Sequence, residues 1–316
     1  MKKVIVLLGP TGVGKTGASI QLAKELDTEI ISADSMQIYR GMDIGTAKPS
    51  GKELAEVKHH MIDIIEPTQS YSAGQYIEAV AGIIEGLHQK GRIPVIVGGT
   101  GLYIKAMTRG LFGGPSADLP LREELLLMEQ KSPGSLYSYL VRLDREAAEN
   151  IQKNDVRRVV RAIEVCLKIR DKVSRLRKDL TSPLPYDFVK IGLTRERKEL
   201  YRIIDGRVDK MFEAGLLEET ESLLAKHPDR TAMQAIGYKE LALYLNGEID
   251  KEEALRLIKR NSRRYAKRQF TWFRKEENIL WIDVTGIFDS SSVFLAIKDL
   301  LMRVCPDVFS CKTSGR

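Results

Sequence analysis

Eight consecutive residues, Gly9-Pro10-Thr11-Gly12-Val13-Gly14-Lys15-Thr16, fit the pattern G-x-x-x-x-G-K-[ST]. The chemistry such a loop performs is phosphate binding. Its glycines let successive backbone N–H groups converge on phosphate oxygens, and the start of a following helix adds a partial positive charge. Lys15 adds a full charge, and the Thr16 hydroxyl can hold Mg2+. The pattern carries weight only between a strand and a helix. Here the apolar run 4–8 precedes it and an amphipathic stretch over 16–26 succeeds it. A diphosphate or triphosphate ligand is therefore expected, with the group it is attached to left open. A P-loop that hydrolyses ATP also ends a neighbouring buried strand with a metal-holding carboxylate. In this chain the run that ends at Val97 passes instead into Gly98-Gly99-Thr100-Gly101-Leu102-Tyr103, which offers N–H groups and a hydroxyl but no acid. The acid follows another run, 29–33, where Asp34-Ser35-Met36-Gln37 puts Asp34 at a carboxyl end of the sheet, the place where open α/β folds hold ligands. Asp34 could equally serve as a helix N-cap.

The elements that must position these residues form a simple rhythm. Short apolar runs at 4–8, 29–33, 93–97, 188–193 and 279–284 alternate with helical patterns, which predicts an α/β fold: a P-loop-containing parallel sheet flanked by helices. From Gly113-Gly114-Pro115 to Pro183-Leu184-Pro185 the rhythm breaks, with no strand candidate and much helix. This predicts an inserted all-helical domain over 115–185, with 1–114 and 186–316 as the P-loop core. The insertion's best helix starts after Asp155, an expected N-cap, and aligns Val156, Val159, Val160, Ile163, Cys166 and Leu167 on one apolar stripe. The tail beyond Cys305-Pro306 is expected to fray.

Composition narrows the class. No run approaches the ~18 apolar residues of a membrane span, and the apolar run after Met1-Lys2-Lys3 is too short for a signal peptide. The three cysteines, Cys166, Cys305 and Cys311, lack metal or disulfide spacing, so the cytoplasm is the expected compartment. The net charge of +7 suits a polyanionic partner without requiring one. Placement of the cations is more informative. At 100° per residue Arg256, Arg260, Arg263, Lys267 and Arg274 share one side of a helix, with Ile258, Tyr265 and Trp272 opposite. Arg157, Arg158 and Arg161 likewise avoid the insertion's apolar stripe. Such faces can meet a phosphate backbone. The adjacent His59 and His60, ahead of an apolar run, are read as structural.

Taken in order, the motifs resemble one family. They are the phosphate loop, Asp34-Ser35-Met36-Gln37-Ile38-Tyr39, Asp43-Ile44-Gly45-Thr46-Ala47-Lys48-Pro49, His59-His60-Met61-Ile62-Asp63 and Val97-Gly98-Gly99-Thr100-Gly101-Leu102-Tyr103. Asn154-Asp155-Val156-Arg157-Arg158, Ala235-Ile236-Gly237-Tyr238-Lys239-Glu240 and Lys267-Arg268-Gln269-Phe270-Thr271-Trp272-Phe273 complete the set. Together they resemble the bacterial tRNA dimethylallyltransferases over nearly the whole chain. The resemblance implies transfer of a dimethylallyl group from dimethylallyl diphosphate to N6 of adenosine 37 in a tRNA anticodon loop, with Mg2+ as cofactor and Thr16 as its ligand. It implies Asp34 and Thr100 as catalytic residues, and diphosphate binding by residues 9–16 with Arg207. It further implies tRNA contacts at Asp34, Ser35, Met36, Gln37, Thr100, Arg122, Arg157, Arg158, Arg161, Ile236, Gly237, Tyr238, Lys239, Arg260, Arg263, Lys267 and Arg268. A monomer is expected. The rival readings are a P-loop kinase of a nucleotide or metabolite, a prenyltransferase acting on free AMP or ATP, and a noncatalytic RNA-binding protein.

Overall fold

The computed structural model describes residues 1–115, 117–179 and 181–313. Among the described residues eight strands run in chain order: β1 (Lys3–Leu8), β2 (Ile30–Ala33), β3 (His59–His60), β4 (Val95–Gly98), β5 (Leu111–Phe112), β6 (Thr181–Ser182), β7 (Asp187–Thr194) and β8 (Ile279–Asp283). Six of them form one sheet in the order β3-β2-β4-β1-β7-β8, every pairing parallel. Strands covered on both faces must be apolar throughout rather than alternating, and β1 and β2 are buried along nearly their whole lengths. The edge strand β3 was not legible as a strand. It is two residues long and polar, with His60 paired to Glu29 at 2.5 Å and His59 donating to the Val57 carbonyl. The structural reading of both histidines agrees with these contacts.

Register does the positioning. Leu8 and Ala33 both pair with Gly98, so β1, β2 and β4 end level and deliver residues 9–16, 34–37 and 99–101 to one edge of the sheet. From the central pair of β1 and β4 the chain proceeds to β2 on one side and to β7 on the other. This reversal is the crevice where open α/β sheets bind ligands.

The chain divides into two compact units, one of 1–105 with 185–316 and one of 106–184. Residues 106–114, expected in the core, fall with the helical unit because β5 pairs antiparallel with β6 and Phe112 packs into that unit's own apolar cluster. The expected absence of strands there is corrected by this two-residue ribbon. The helix Val156–Ile169 starts where expected, with the Asp155 carboxylate accepting from the Arg158 N–H at 3.3 Å. Val159, Val160, Ile163 and Cys166 are buried, whereas Leu167, placed on the same stripe, is 37% exposed. The tail corrects the expected fraying as far as residue 309, since Val308 is buried and Phe309 packs on the sheet's core. The side chain of Cys311 lies outside the described residues. Among the described residues no helix is long and apolar enough to cross a membrane.

Within the helical unit the fully buried Glu164 accepts from both ends of the Arg122 guanidinium, at 2.9 and 2.8 Å, from the Asp118 N–H at 2.6 Å, and from Arg161. Burial alone would raise its carboxyl. Arg122, the Asp118 N–H and Arg161 outweigh burial and hold it below its usual range. The contribution is therefore intact at neutral pH and is lost only as pH falls through the depressed value. Glu164→Gln is expected to cost this unit about 2 to 3 kcal/mol, less than for a wholly buried pair because both guanidinia keep some water. Amide hydrogen exchange across 119–169 reads that loss unit by unit.

Candidate active site

The phosphate loop leaves β1 and turns into the helix Lys15–Glu25, whose first residue follows Gly14 at φ 108, a left-handed conformation that a side chain would strain. The Lys15 ammonium folds back to donate to the Gly9 and Pro10 carbonyls at 2.9 and 2.8 Å. Although Lys15 as a residue is only partly buried, its ammonium is enclosed. Burial and then the positive charge of Arg207 push it down to about 7, while Asp34 pulls it back up. Arg207, on the helix Arg197–Glu213, is lowered by burial and raised by Asp34. Two cations and a carboxylate, each partly buried as a residue, thus lie within electrostatic reach of one another. The net charge there is positive, and like charges in low dielectric repel unless an anion joins them. Arg207, expected from the Arg207-Val208-Asp209 stretch and the family resemblance, lies within electrostatic reach of Lys15 and Asp34.

Asp34 emerges from β2 as an Asx turn rather than a helix cap. Its Oδ1 accepts from the Met36 N–H at 2.8 Å and more weakly from the Gln37 N–H at 3.4 Å. Thr100 locks this turn from the neighbouring strand end. Its N–H donates to the Ala33 carbonyl at 3.0 Å, and its Oγ1 accepts from the Ser35 N–H at 3.0 Å. The Thr100 hydroxyl thus positions the Asp34 turn.

Tyr265 corrects the helical-wheel expectation. Placed opposite the cations, it faces polar groups instead of the core: burial raises its phenol well above the usual range, Asp34 adds to the rise, and the Thr100 hydroxyl and Gln269 amide beside it oppose it. Gln269, quoted within a motif but given no role, is 6% exposed. Its Oε1 accepts from the Thr11 N–H at 2.9 Å and its Nε2 donates to the Gly99 carbonyl at 3.0 Å. A readable signal existed: Tyr265, Gln269 and Trp272 stand at i, i+4 and i+7, and a polar amide in the middle of an inward stripe needs polar partners.

The remaining expected contacts divide. Arg157, Lys267 and Arg268 are exposed, Arg268 lying 5.7 Å over the Tyr265 ring. Arg158 is exposed and paired with Asp155 at 3.3 Å. Others have internal partners that account for their presence. Arg122 and Arg161 are bound to Glu164, and Arg263 contacts Asp205 at 2.5 and 2.7 Å. Gln37 spends its amide on Ser32, Thr46 and Ala47, and Met36 and Ile236 pack against an apolar cluster. Tyr238 is fully buried, its hydroxyl donating to Glu219 at 2.6 Å. Gly237 donates its N–H to Glu240 at 2.8 Å, and Lys239 pairs with the same residue at 3.5 Å. Arg260 keeps a buried Nε without a partner. The motif over 43–49 is held from below, since Glu219 accepts from the N–H groups of Asp43, Ile44 and Gly45.

Among the described residues no three acidic, histidine or cysteine side chains gather to hold a metal. The exposed Thr16 hydroxyl suits Mg2+ all the same, because that ion favours substrate phosphates and water with one or two protein ligands.

Fold and site together define a P-loop α/β protein that groups two cations with a carboxylate beside the loop. The chain belongs to the IPP transferase family, whose model matches residues 37–276. It is 50% identical over 313 residues to a tRNA dimethylallyltransferase of Thermodesulfovibrio yellowstonii, covering 96% of this chain and 99% of that one. A second, from Halothermothrix orenii, is 48% identical, covering 94% and 92%. The solved full-length tRNA isopentenylpyrophosphate transferase of Bacillus halodurans superposes with a TM-score of 0.72 at 41% identity, covering 98% of each chain. A eukaryotic dimethylallyltransferase acting on tRNA gives 0.80 at 29% identity, over 98% of this chain and 80% of that one.

The low Lys15 value has a sign that can be tested. A diphosphate beside the ammonium raises its pKa, so binding takes up a proton once the free enzyme has lost it. Affinity is then highest below pH 7 and falls as pH rises, at the limit by about tenfold per pH unit. Calorimetric titration with inorganic diphosphate is expected to show the wild-type to Lys15→Ala affinity ratio, in which the ligand's own ionisation cancels, declining above pH 7.

Proposed function

We propose that this chain transfers a dimethylallyl group from dimethylallyl diphosphate to N6 of adenosine 37 in the anticodon loop of tRNA, releasing diphosphate. The observation that carries the reading is the enclosed pairing of Lys15 and Arg207 with Asp34 at one edge of the sheet. Family membership supplies the reaction class. In the reaction the allylic C–O bond breaks and its electron pair leaves with the diphosphate. The backbone N–H groups from Gly12 to Thr16, with Lys15 and Arg207, would stabilise that growing charge. Mg2+, when bound through Thr16 and the diphosphate, would neutralise further charge on the leaving group. N6 forms the new C–N bond and loses a proton, for which Asp34 Oδ2 is the acceptor. Oδ1 is already committed to the turn, which orients the carboxylate.

The kinase alternative has less support, because the strand end at Gly98-Gly99-Thr100 brings no metal-holding acid to the loop. The exposed cations Arg157, Lys267 and Arg268 favour a tRNA acceptor over a free nucleotide.

Labelled dimethylallyl diphosphate is expected to mark unmodified tRNA at adenosine 37, read by mass of the released nucleoside. ATP-dependent phosphoryl transfer without tRNA labelling would overturn the proposal. Asp34→Asn should lower kcat by about 10² to 10⁴ while both substrates still bind. Charge reversal at Lys267 and Arg268 should weaken tRNA binding and reduce its salt slope by about one unit for each phosphate that is no longer neutralised, with diphosphate affinity unchanged.

A further inference from the structure

Donor and acceptor are held by different parts of the sheet's edge. The diphosphate belongs to the loop after β1, and the nucleophile's carboxylate to the turn after β2, which Thr100 locks onto the end of β4. Register couples β1 to β4 only as far as Leu8 with Gly98. Beyond that pair the amide of Gln269 spans the two, with its acceptor on the Thr11 N–H and its donor on the Gly99 carbonyl. A carboxamide offers one acceptor and one donor at the same distance from the backbone. Glutamate lacks the donor, lysine and arginine lack the acceptor, and asparagine is one methylene short.

The surroundings are shaped to admit this amide. A Cβ on Gly99 would stand 2.1 Å from Gln269 Nε2, and one on Gly101 would stand 2.3 Å from Trp272 Cδ1. Both glycines flanking Thr100 are therefore left bare for side chains of the helix Lys251–Phe273. That helix is itself fixed, since Ile258, Ala266 and Phe273 are buried. Gln269 thus transmits a fixed helix position to both turns at once.

We propose that Gln269 is a positioning residue that sets the separation between the diphosphate-holding loop and the Asp34–Thr100 turn, and so brings the allylic carbon and the attacking nitrogen into register. This rests on the transfer reaction proposed above. The Gln269 amide is committed to the Thr11 N–H and the Gly99 carbonyl, so its loss acts on geometry. A displacement of about 1 Å at reacting centres can cost 10²-fold in rate.

The test compares Gln269→Ala and Gln269→Glu with the wild-type chain. For Gln269→Ala the expected result is a kcat about 10- to 100-fold lower, with the dissociation constants for inorganic diphosphate and for tRNA within about threefold and the melting temperature nearly unchanged, the split that marks lost alignment rather than lost binding. A kcat within twofold of wild type overturns the proposal. So does a fall in kcat matched by equal losses in diphosphate affinity and melting temperature, which marks a merely structural role. Gln269→Glu is the same size, so it serves even where the alanine variant fails to fold. Burial raises the new carboxyl, and its protonated form regains the donor to Gly99. Its kcat relative to wild type should therefore climb as pH falls, and a flat ratio overturns the proposal. A readout without turnover separates this inference from the reaction it rests on. Inorganic diphosphate should slow amide exchange across 98–101 as well as 9–16 in the wild type, but only across 9–16 in Gln269→Ala. Equal protection in both proteins overturns the span. A wild-type chain that labels no tRNA overturns the reaction instead.

Discussion

Lys15 and Arg207 are partly buried and held close enough to repel one another, with Asp34 as the carboxylate that offsets them. Like charges do not remain so placed by their own interaction, and each has its charged form disfavoured by burial. The scaffold must therefore hold them, and it does so from two directions. Lys15 is anchored by the loop's own carbonyls, and Arg207 is carried by a helix whose Leu200, Ile204 and Val208 are buried. A polyphosphate entering beside them, as the proposed function requires, would relieve that repulsion. In the proposed transfer this would act as electrostatic preorganisation, because the dipoles and charges need not move as the leaving group gains charge.

The same economy governs the acceptor side. Asp34 would be a poor base if both oxygens were saturated and a poorly aimed one if neither were. Spending Oδ1 on the Met36 and Gln37 N–H groups fixes the plane of the carboxylate and, in the proposed reaction, leaves Oδ2 for the proton. Thr100 reinforces the arrangement from β4, and the level ends of β1, β2 and β4 allow three separate turns to meet without a long loop. Parallel pairing produces the meeting, since it sends every carboxyl end to the same edge.

What could be read from the sequence follows from how local each signal is. The phosphate loop, the buried runs and the Asp155 cap are properties of contiguous residues, so pattern alone locates them. Asp34 needed only its place after an apolar run. Glu164 lay beyond such reading because its partners, Arg122 and Asp118, stand far along the chain, and for Gln269 the helical spacing marks an inward amide without naming its distant partners, Thr11 and Gly99. Tyr265 shows the limit of helical-wheel reasoning. The angle put it on the inward side, but inward meant a polar turn rather than an apolar core. Trp272, on the same stripe, does cover Gly101, though with a buried indole N–H that finds no partner.

Net charge is a similar case. The excess of seven cations invites the inference of an RNA surface, yet many of the basic residues have internal work. Lys48, whose side chain is 4% exposed, donates to the Tyr39 carbonyl and to Asp43 and also pairs with Asp63, and Arg195 is bound to Glu199 and the Ile287 carbonyl. Cations committed in this way contribute little to a salt-dependent encounter with a phosphate backbone, because their counter-charges are already in place. The basic helix therefore acts through only part of its charge. Arg263 and Lys259 tie it to the helix Arg197–Glu213, and Arg264, Lys267 and Arg268 remain at the surface. On the opposite side Gln269 and Trp272 reach the two turns of the site. One helix thus offers charge outward and fixes geometry inward, so a polyanion resting on its exposed face would meet an element whose position the active site already depends on.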